Sequence, residues 1–573
     1  MTFHSVIHNF TNISTEEAEK LREQLSLSMS VAMLKFCAGY YRESHLRDPF
    51  ADELKMLDML VCARERNGAS LAITELFTND AFVARTHADL LKKRAMLHPE
   101  LSHPVTLLEA ANVANEVLAQ KAKGKARTKA FSLIEKAADT ENIAADTCAV
   151  TARSPYRLRF LPHVKLAKKD ANLLVLICPC KEDSQNQFMN KFSALLQKAE
   201  IRQLVGGLAK IGGGGILEEI LRMSNGAKIL LPALSKDGKP AFATSLFAFS
   251  GCYILRVDPK HWSTASRLLT EGGVRAIPFA SLTHEEKIVF ERGKLSKFAI
   301  NTQLLRSLNS YRTTAAKLPS ERIFPTPPTY LDSLLSLLRS SFQFEKEMQL
   351  GEVTTAGSST CAAAFAAPAQ SYYKTAVYSL LAPIAALCAC GVPYDEQALA
   401  LTLEVPQDLS DDAEVGKCMA TVLGLYRAQT ELGIATQEQI FVRKNKYASV
   451  PTVFSWSMTD GTHKLPTEFT KDGNYVYALS PSLGADGLPV LSAWKKNLKY
   501  IAKLSQKGNI QSYRVLFGET LTEGIWQMSN SLVCVRGDET PLSERKLPLC
   551  ILIESPKKLP LLCVGQVRLL ESL

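Results

Sequence analysis

Two short stretches decide the fold: ANLLVLICP at 171–179 and GNYVYALSP at 473–481. Each is an apolar run of strand character closed by a proline, Pro179 or Pro481, and each opens a series that the other repeats. EEILRMSN (218–225) and EGIWQMSN (523–530) share a glutamate, an isoleucine and a Met-Ser-Asn ending. YILRVDP (253–259) and CILIESP (550–556) are again strands ending in proline. The three pairs keep one order and a spacing of about 300 residues, which is the pattern of an internal duplication.

Around these anchors the period of the apolar residues alternates between strand and helix. Phe188, Phe192, Leu195 and Leu196 recur at helical spacing after the first strand. The segment ILEEILRMSNGAKILL predicts a helix stopped at Asn225-Gly226, with Gly226 as a left-handed C-cap, and then a strand. YILRVDPKHWSTASRLLTEGGVRAIPFASL predicts a strand, a helix from about His261, a stop at Gly272-Gly273 and another strand. This alternation predicts a mixed α/β (α+β) fold with helices on one side of a mixed sheet. Residues 1–70 read as helices broken at Arg47-Asp48-Pro49, and 80–150, rich in Ala, Lys, Leu and Glu, as mainly helical. LPSERIFPTPPTY (318–330), with its four prolines, is the clearest linker, between the two copies.

The chain has 573 residues, 46% hydrophobic and 22% charged, a globular composition, and its formal charge is +10. No Lys/Arg block is long enough for a nucleic-acid arm; the excess suits an anionic small ligand or nothing at all. Thirteen cysteines show no metal-type spacing. Cys178 and Cys180, like Cys388 and Cys390, sit two apart in apolar runs, which predicts buried core thiols. His4 and His8 lack the glutamate of a His-Glu-x-x-His string, so no metal site is expected. No apolar run reaches about 18 residues and the N-terminus has no signal-peptide pattern, so the expectation is a cytoplasmic protein with reduced thiols and no membrane contact.

The order of segments and several strings resemble the synthetase portion of phosphoribosylformylglycinamidine synthase, in its long single-chain form, within the aminoimidazole ribonucleotide synthetase-like superfamily. LKFCAGYYRESHLRDPFADELKMLDML (34–60) resembles the family's helical linker, and LAKIGGGGILEEILRMSNGAKILL (208–231) its Gly-rich turn and helix. LGEVTTAG (350–357), the helix up to CACG (388–391), RAQTELGIATQ (427–437) and VGQV (564–567) resemble the second half. The resemblance implies two ATP-binding-type and two C-terminal-type subdomains in a pseudo-twofold arrangement. The expected bounds are 1–70 helical linker, 71–155 reduced first ATP-binding-type subdomain, and 156–317 first C-terminal-type subdomain. The linker at 318–330, a second ATP-binding-type subdomain at 331–470 and a second C-terminal-type subdomain at 471–573 follow. It also implies ATP, Mg²⁺ and ammonia drawn from glutamine, and a glutaminase or an active paralogue as protein partner.

The chemistry departs from that family. After Asp58 the family has Trp-Ser-Asp/Glu-His-Cys; here Arg64 falls at the histidine. Arg222 stands for the glutamate of the Gly-rich helix, with Glu218 and Glu219 the acids nearest that position. Ala248, Ser250 and Gly251 replace an acidic and amide string, and Ala382 and Pro383 a helix glutamate. Glu438, Gln439, Ile440, Phe441 and Val442 stand where the family has Gly-Gly-Lys-Asp-Ser. A phenylalanine holds no divalent metal, and an isoleucine neutralises no phosphate.

No catalytic or metal residue is therefore assigned. The candidates for nucleotide or phosphate binding are Gly212, Gly214 and Gly215, whose amides would cradle an anion, and Glu352, Thr354 and Thr355 on a hydroxyl-rich turn. The plainer readings are a tight turn that lets a helix pack closely, and polar loop residues. In SDDAEVGK (410–417) the acids read as a helix start with Ser410 as N-cap. His87, His98 and His103 do not share one helical face and read as surface or partly buried. The expected function is a non-catalytic relative of the synthase; a working amidating ligase and a nucleotide-sensing module are the alternatives.

Overall fold

The N-terminal region of the computed structural model is helical for local reasons. Helix α1 (Thr15–Leu25) opens on a reciprocal Ser14–Glu17 capping box, and α2 (Val31–Tyr40) on Ser30, whose hydroxyl accepts from Met33 N–H. The break before α3 (Ala51–Arg66) is tied by Asp48, which accepts from the amides of Asn9 and Thr11, and by Arg47, bidentate to the buried Glu53.

The described residues are 5–66, 71–99, 103–121, 130–131, 134–138, 147–148, 156–160, 164–165, 172–212, 214–234, 242–249, 251–291, 297–308, 312–319, 348–350, 353–356, 359–366, 371–406, 408–436, 441–445, 450–460, 462–536 and 546–570. They divide into two units. The first comprises Met1–Leu71, Thr128–Phe131 and Val164–Arg312, and the second Ala72–Arg127, Ser132–His163 and Thr313–Leu573. Next along the chain come β1 (Leu71–Phe77), α4 (Ala81–Leu97), β2 (Val105–Thr106) and α5 (Leu107–Lys121). The helical expectation for 80–150 holds only as far as α5. Residues 134–138 and 147–148 are strands paired with 156–160, so cross-strand pairing overrides the helical bias of an Ala- and Lys-rich composition.

In the first unit the duplicated element begins with β3 (Leu173–Cys178), α6 (Gln185–Gln197), α7 (Ala199–Leu204) and β4 (Val205–Lys210). It continues through α8 (Gly215–Met223), β5 (Gly226–Leu230), α9 (Phe242–Phe247), β6 (Tyr253–Val257), α10 (Trp262–Glu271) and β7 (Arg275–Thr283). Two further strands, β8 (Lys287–Glu291) and β9 (Lys297–Asn301), and helix α11 (Thr302–Ser307) complete it. The sheet runs β9-β8-β5-β7-β3-β6-β4. Its core joins Leu174, Leu176 and Ile254 of the strands to Ile216 and Ile220 of α8 and to Leu57 of α3.

Gly226 is not the left-handed cap. Helix α8 ends at Ser224, which is extended, and Gly226 already belongs to β5. A Cβ there would lie 1.8 Å from the Glu285 carbonyl oxygen, so the glycine serves close backbone approach. The stop at Gly273 does use a positive φ, of 73°.

In the second unit β10 (Arg312–Lys317) joins the sheet β10-β1-β2. Strands β11 (Met348–Leu350), β12 (Thr354–Ala356) and β13 (Ser359–Ala366) precede helix α12 (Tyr372–Ala389). Then come β14 (Ala398–Pro406), α13 (Asp412–Leu432), β15 (Phe441–Asn445) and β16 (Thr452–Asp460). The path is β11-β13-β16-β14-β15, with β12 also on β13. Helix α12 is apolar on all sides and buried, as a helix between packed layers must be. Helix α13 starts on Asp411, whose carboxylate accepts from Ala413 N–H, so the N-cap lies one residue beyond Ser410. Ser410 instead donates its amide to Asp408.

The second copy follows: β17 (Tyr475–Leu479), α14 (Leu491–Gln506), β18 (Ser512–Leu516), α15 (Leu521–Met528), β19 (Leu532–Arg536), β20 (Cys550–Ser555) and β21 (Leu562–Leu569). Its sheet runs β18-β20-β17-β21-β19. Numbered along each copy, both sheets read second, fourth, first, fifth, third. Both also carry a register shift between the first and fifth strands. The duplication seen in the two opening strands is therefore a duplication of topology.

Candidate functional site

The Gly-rich turn leaves β4 and enters α8 in the first unit. Gly215 N–H donates to the Gly212 carbonyl at 3.0 Å, and the flanking Ile211 exchanges backbone bonds with Gly251 and Cys252. Each glycine has a separate reason. A Cβ on Gly214 would meet Glu218 Cβ at 2.6 Å, and one on Gly215, at φ +68°, the Leu246 carbonyl oxygen at 2.3 Å. Gly212 is exposed, and a Cβ there would meet nothing nearer than 4.0 Å. Two of the three glycines are thus required by packing of α8 against its own first turn and against α9.

The first turn of α8 carries Glu218, and that carboxylate is engaged. Arg64, near the end of α3, donates from Nε at 3.0 Å and from Nη2 at 2.8 Å to Glu218 Oε2. Its Nη1 donates to the carbonyls of Leu305 at 2.7 Å and Leu308 at 2.9 Å, which belong to the end of α11. One planar guanidinium thereby satisfies an acid at a helix start and the orphan carbonyls at a helix finish. Both side chains are largely buried, 11% and 19% exposed. The residue expected to replace a catalytic histidine is a structural tie. Its partners are scattered over the sequence, and no local signal links them.

Asp58, six residues before Arg64 on the same helix, accepts from the amides of Ser28 at 2.8 Å and Met29 at 2.6 Å, so its carboxylate fastens the turn ahead of α2. A divalent magnesium needs several oxygen donors at one point. The turn offers a carboxylate already bound to a guanidinium, and this does not fit the ion. Among the described residues no group of three or more His, Cys, Asp or Glu side chains is placed to hold a metal.

The second unit holds the other candidates. Thr354 and Thr355 lie on β12, paired with Cys361 and Thr360, so they are strand rather than turn residues. Glu352, Glu438 and most of the 318–330 linker lie outside the described residues. Gly212, Gly214 and Gly215 share one turn in the first unit, while Thr354 and Thr355 belong to the second. Ala382 and Pro383 are buried within α12. Ahead of residues 437–440, Thr436 is anchored by Asn115 of α5, whose Oδ1 accepts from Thr436 N–H at 2.8 Å and from Gln429 Nε2 at 2.9 Å. The sequence reading passed over Glu404, a buried acid on β14 in register with Arg443 of β15. The available signal was an acid inside the apolar strand ALALTLEVP.

The thiols follow burial. Burial pushes Cys388, at the end of α12, up to about 12; its sulfur accepts from Gln397 Nε2 at 3.1 Å. Cys390 is also buried, but Cys180 lies beyond the end of β3 and is exposed, against expectation. The histidines fall as expected: His98 contacts Glu116 at 2.6 Å, His103 contacts Glu109 at 3.4 Å, and His87 is half-buried. Among the described residues no helix is long and apolar enough to cross a membrane.

No protein-family model matches the chain, and no curated protein sequence does. Solved structures do. Thermotoga maritima PurL complexed with ADP is 12% identical and covers 92% of this chain and 99% of its own, with a TM-score of 0.50. The same protein complexed with AMPPCP gives 12% identity, 92% and 98% coverage and a TM-score of 0.50. Its complex with FGAR gives 11% identity, 92% and 99% coverage and a TM-score of 0.47. At such identities the likeness speaks for backbone and not for chemistry, and its conclusion is that this chain has the duplicated α/β fold of PurL.

Proposed function

We propose that the chain is a non-catalytic relative of phosphoribosylformylglycinamidine synthase, acting as a binding, regulatory or scaffolding protein. The observation that carries this reading is the Arg64 tie. A synthetase of this class gathers carboxylates to hold magnesium against a triphosphate, and here the acid at the start of the Gly-rich helix is spent on a guanidinium. Arg64 also stands where the resemblance expects the active-site histidine, and it is turned to helix ends instead of to a substrate. Ala382 and Pro383 in α12, where the family has a glutamate, point the same way.

The test is ATP-dependent amidation of formylglycinamide ribonucleotide with ammonia as nitrogen donor. The expected result is no ADP release above the protein-free control. Turnover that disappears in Glu352→Gln would replace this reading with that of a working ligase. A nucleotide-sensing role is favoured by the shared fold with PurL, whose structures hold ADP and AMPPCP. It is read by thermal shift: a ligand at 100 times its Kd stabilises by about 2.7 kcal/mol. No shift with either nucleotide, with or without Mg²⁺, would leave a protein-partner role alone.

A further inference from the structure

The register of the first sheet sets two cysteines side by side. Strand β6 pairs antiparallel with β3, Ile254 opposite Leu176 and Tyr253 opposite Ile177, and one residue further along that register Cys252 faces Cys178. Side chains alternate along a strand, so both sulfurs lie on the face of Leu174, Leu176 and Ile254, and the five residues share one apolar cluster. Ile211 N–H donates to the Cys252 carbonyl at 2.8 Å from the β4 side, which turns that carbonyl away from β3. The facing residues are then a non-hydrogen-bonded pair, the kind whose Cα atoms lie about 4.5 Å apart. A disulfide spans Cα separations of about 4.4–6.8 Å. Both residues are thiols in this structure.

Other strand cysteines face other residue types. Cys361 of β13 lies opposite Met458, Cys534 of β19 opposite Val567, Cys563 of β21 opposite Tyr477 and Cys550 of β20 opposite Leu516. A leucine or valine would fill either position of the β3–β6 pair as well as a cysteine does; two facing thiols add a chemistry that neither has alone. Their place gives that chemistry a consequence. Gly251 N–H donates to the Ile211 carbonyl at 3.0 Å, so the residue before the Gly-rich turn is bonded to both Gly251 and Cys252. The exposed Cys180 points elsewhere: its sulfur donates to the Gly273 carbonyl at 3.4 Å, ahead of β7, and β7 lies on the opposite side of β3 from β6.

We propose that Cys178 and Cys252 are an oxidisable pair, which closes to a cross-strand disulfide when the chain meets hydrogen peroxide and so fixes the flank of the Gly-rich turn to β3. The residues are 6% and 8% exposed, which suits a small oxidant better than a bulky disulfide. One sulfur, as thiolate, attacks a peroxide oxygen; the O–O bond breaks, and a sulfenic acid and one water result. The second sulfur then attacks the first, the S–O bond breaks, and the departing hydroxyl leaves with the remaining thiol proton as a second water. The two thiols together lose two electrons and the peroxide gains two. A thiol reductant reverses the bond by exchange.

The test treats the full chain with hydrogen peroxide, blocks remaining thiols with N-ethylmaleimide in denaturant, and digests without reductant for mass spectrometry. The expected product is one peptide pair joining Cys178 to Cys252, two hydrogens lighter than its parts and lost on adding dithiothreitol. Cys180→Ser, at an exposed position, should leave its yield unchanged. Amide hydrogen exchange at Ile211 and Gly251 should slow in the oxidised chain, and the same peroxide treatment in urea should scatter bonds over other cysteines. Recovery of Cys178 and Cys252 as maleimide adducts, at a peroxide dose that oxidises Cys180, would overturn the proposal. So would a bridge from Cys252 to Cys180, or an equal yield of the Cys178–Cys252 bond in urea, since pairing in the folded sheet would then not be its cause. Unchanged exchange at Ile211 and Gly251 in the cross-linked chain would overturn the link to the Gly-rich turn.

Discussion

At the scale of single residues, geometry decides between a side chain that reacts and one that fastens. Arg64 has both its faces of donors committed, so Arg64→Ala strands a largely buried Glu218 carboxylate and two helix-end carbonyls. A loss of about 2–3 kcal/mol in urea unfolding is expected, with Arg64→Lys intermediate because an ammonium cannot fork. Were Arg64 catalytic, its removal would leave stability nearly unchanged. His87 allows a test of sign. Burial holds its imidazole below the ordinary value of 6.5, and His45 is lowered by burial and then by Arg47. The folded chain then binds fewer protons than the unfolded one, so this stability is present above about pH 6.5 and lost as pH falls through the folded values. The urea midpoint should hold from pH 8 to 7 and decline toward pH 5.5, less steeply in His87→Gln.

At the scale of elements, caps and close approaches fix where helices begin and end. Asp411, not Ser410, caps α13, so Asp411→Ala should cost about 1 kcal/mol and Ser410→Ala a few tenths, measured as urea midpoints. Gly215→Ala should cost more than about 2 kcal/mol, since the left-handed backbone and the Leu246 carbonyl both oppose a Cβ. These cases also mark what the residues disclose. The strands ending in proline and the helix over Phe188–Leu196 were legible because strand and helix periods differ over a few residues. The cap of α13 and the role of Gly226 were not, because neighbouring Ser-Asp-Asp residues compete for one amide and a close approach depends on Glu285, far along the chain. The Gly-rich turn was found by composition, but its tie to Arg64 exists only once α3, α8 and α11 meet.

At the scale of the whole molecule, the order of segments along the chain is not the order of packing. Residues 72–127 lie between stretches of the first unit yet belong to the second. There α5 packs against α13, and its Asn115 holds Gln429 and Thr436. From α4, Asp89 accepts from Tyr426 at 2.6 Å, and Thr86 meets the Tyr373 hydroxyl at 2.7 Å. A cut at residue 313, natural if each half of a duplicated chain folded by itself, would strip these two helices from the second unit. Fragment 313–573 would then expose the apolar face of α13 and leave Gln429 and Tyr426 without their partners, a loss larger than the marginal stability of a domain. The fragment alone should show no cooperative thermal transition, and co-expression with 72–127 should restore one and carry both pieces through purification together. A sharp transition for 313–573 alone would mean that α4 and α5 are accessory to the second unit rather than part of its core.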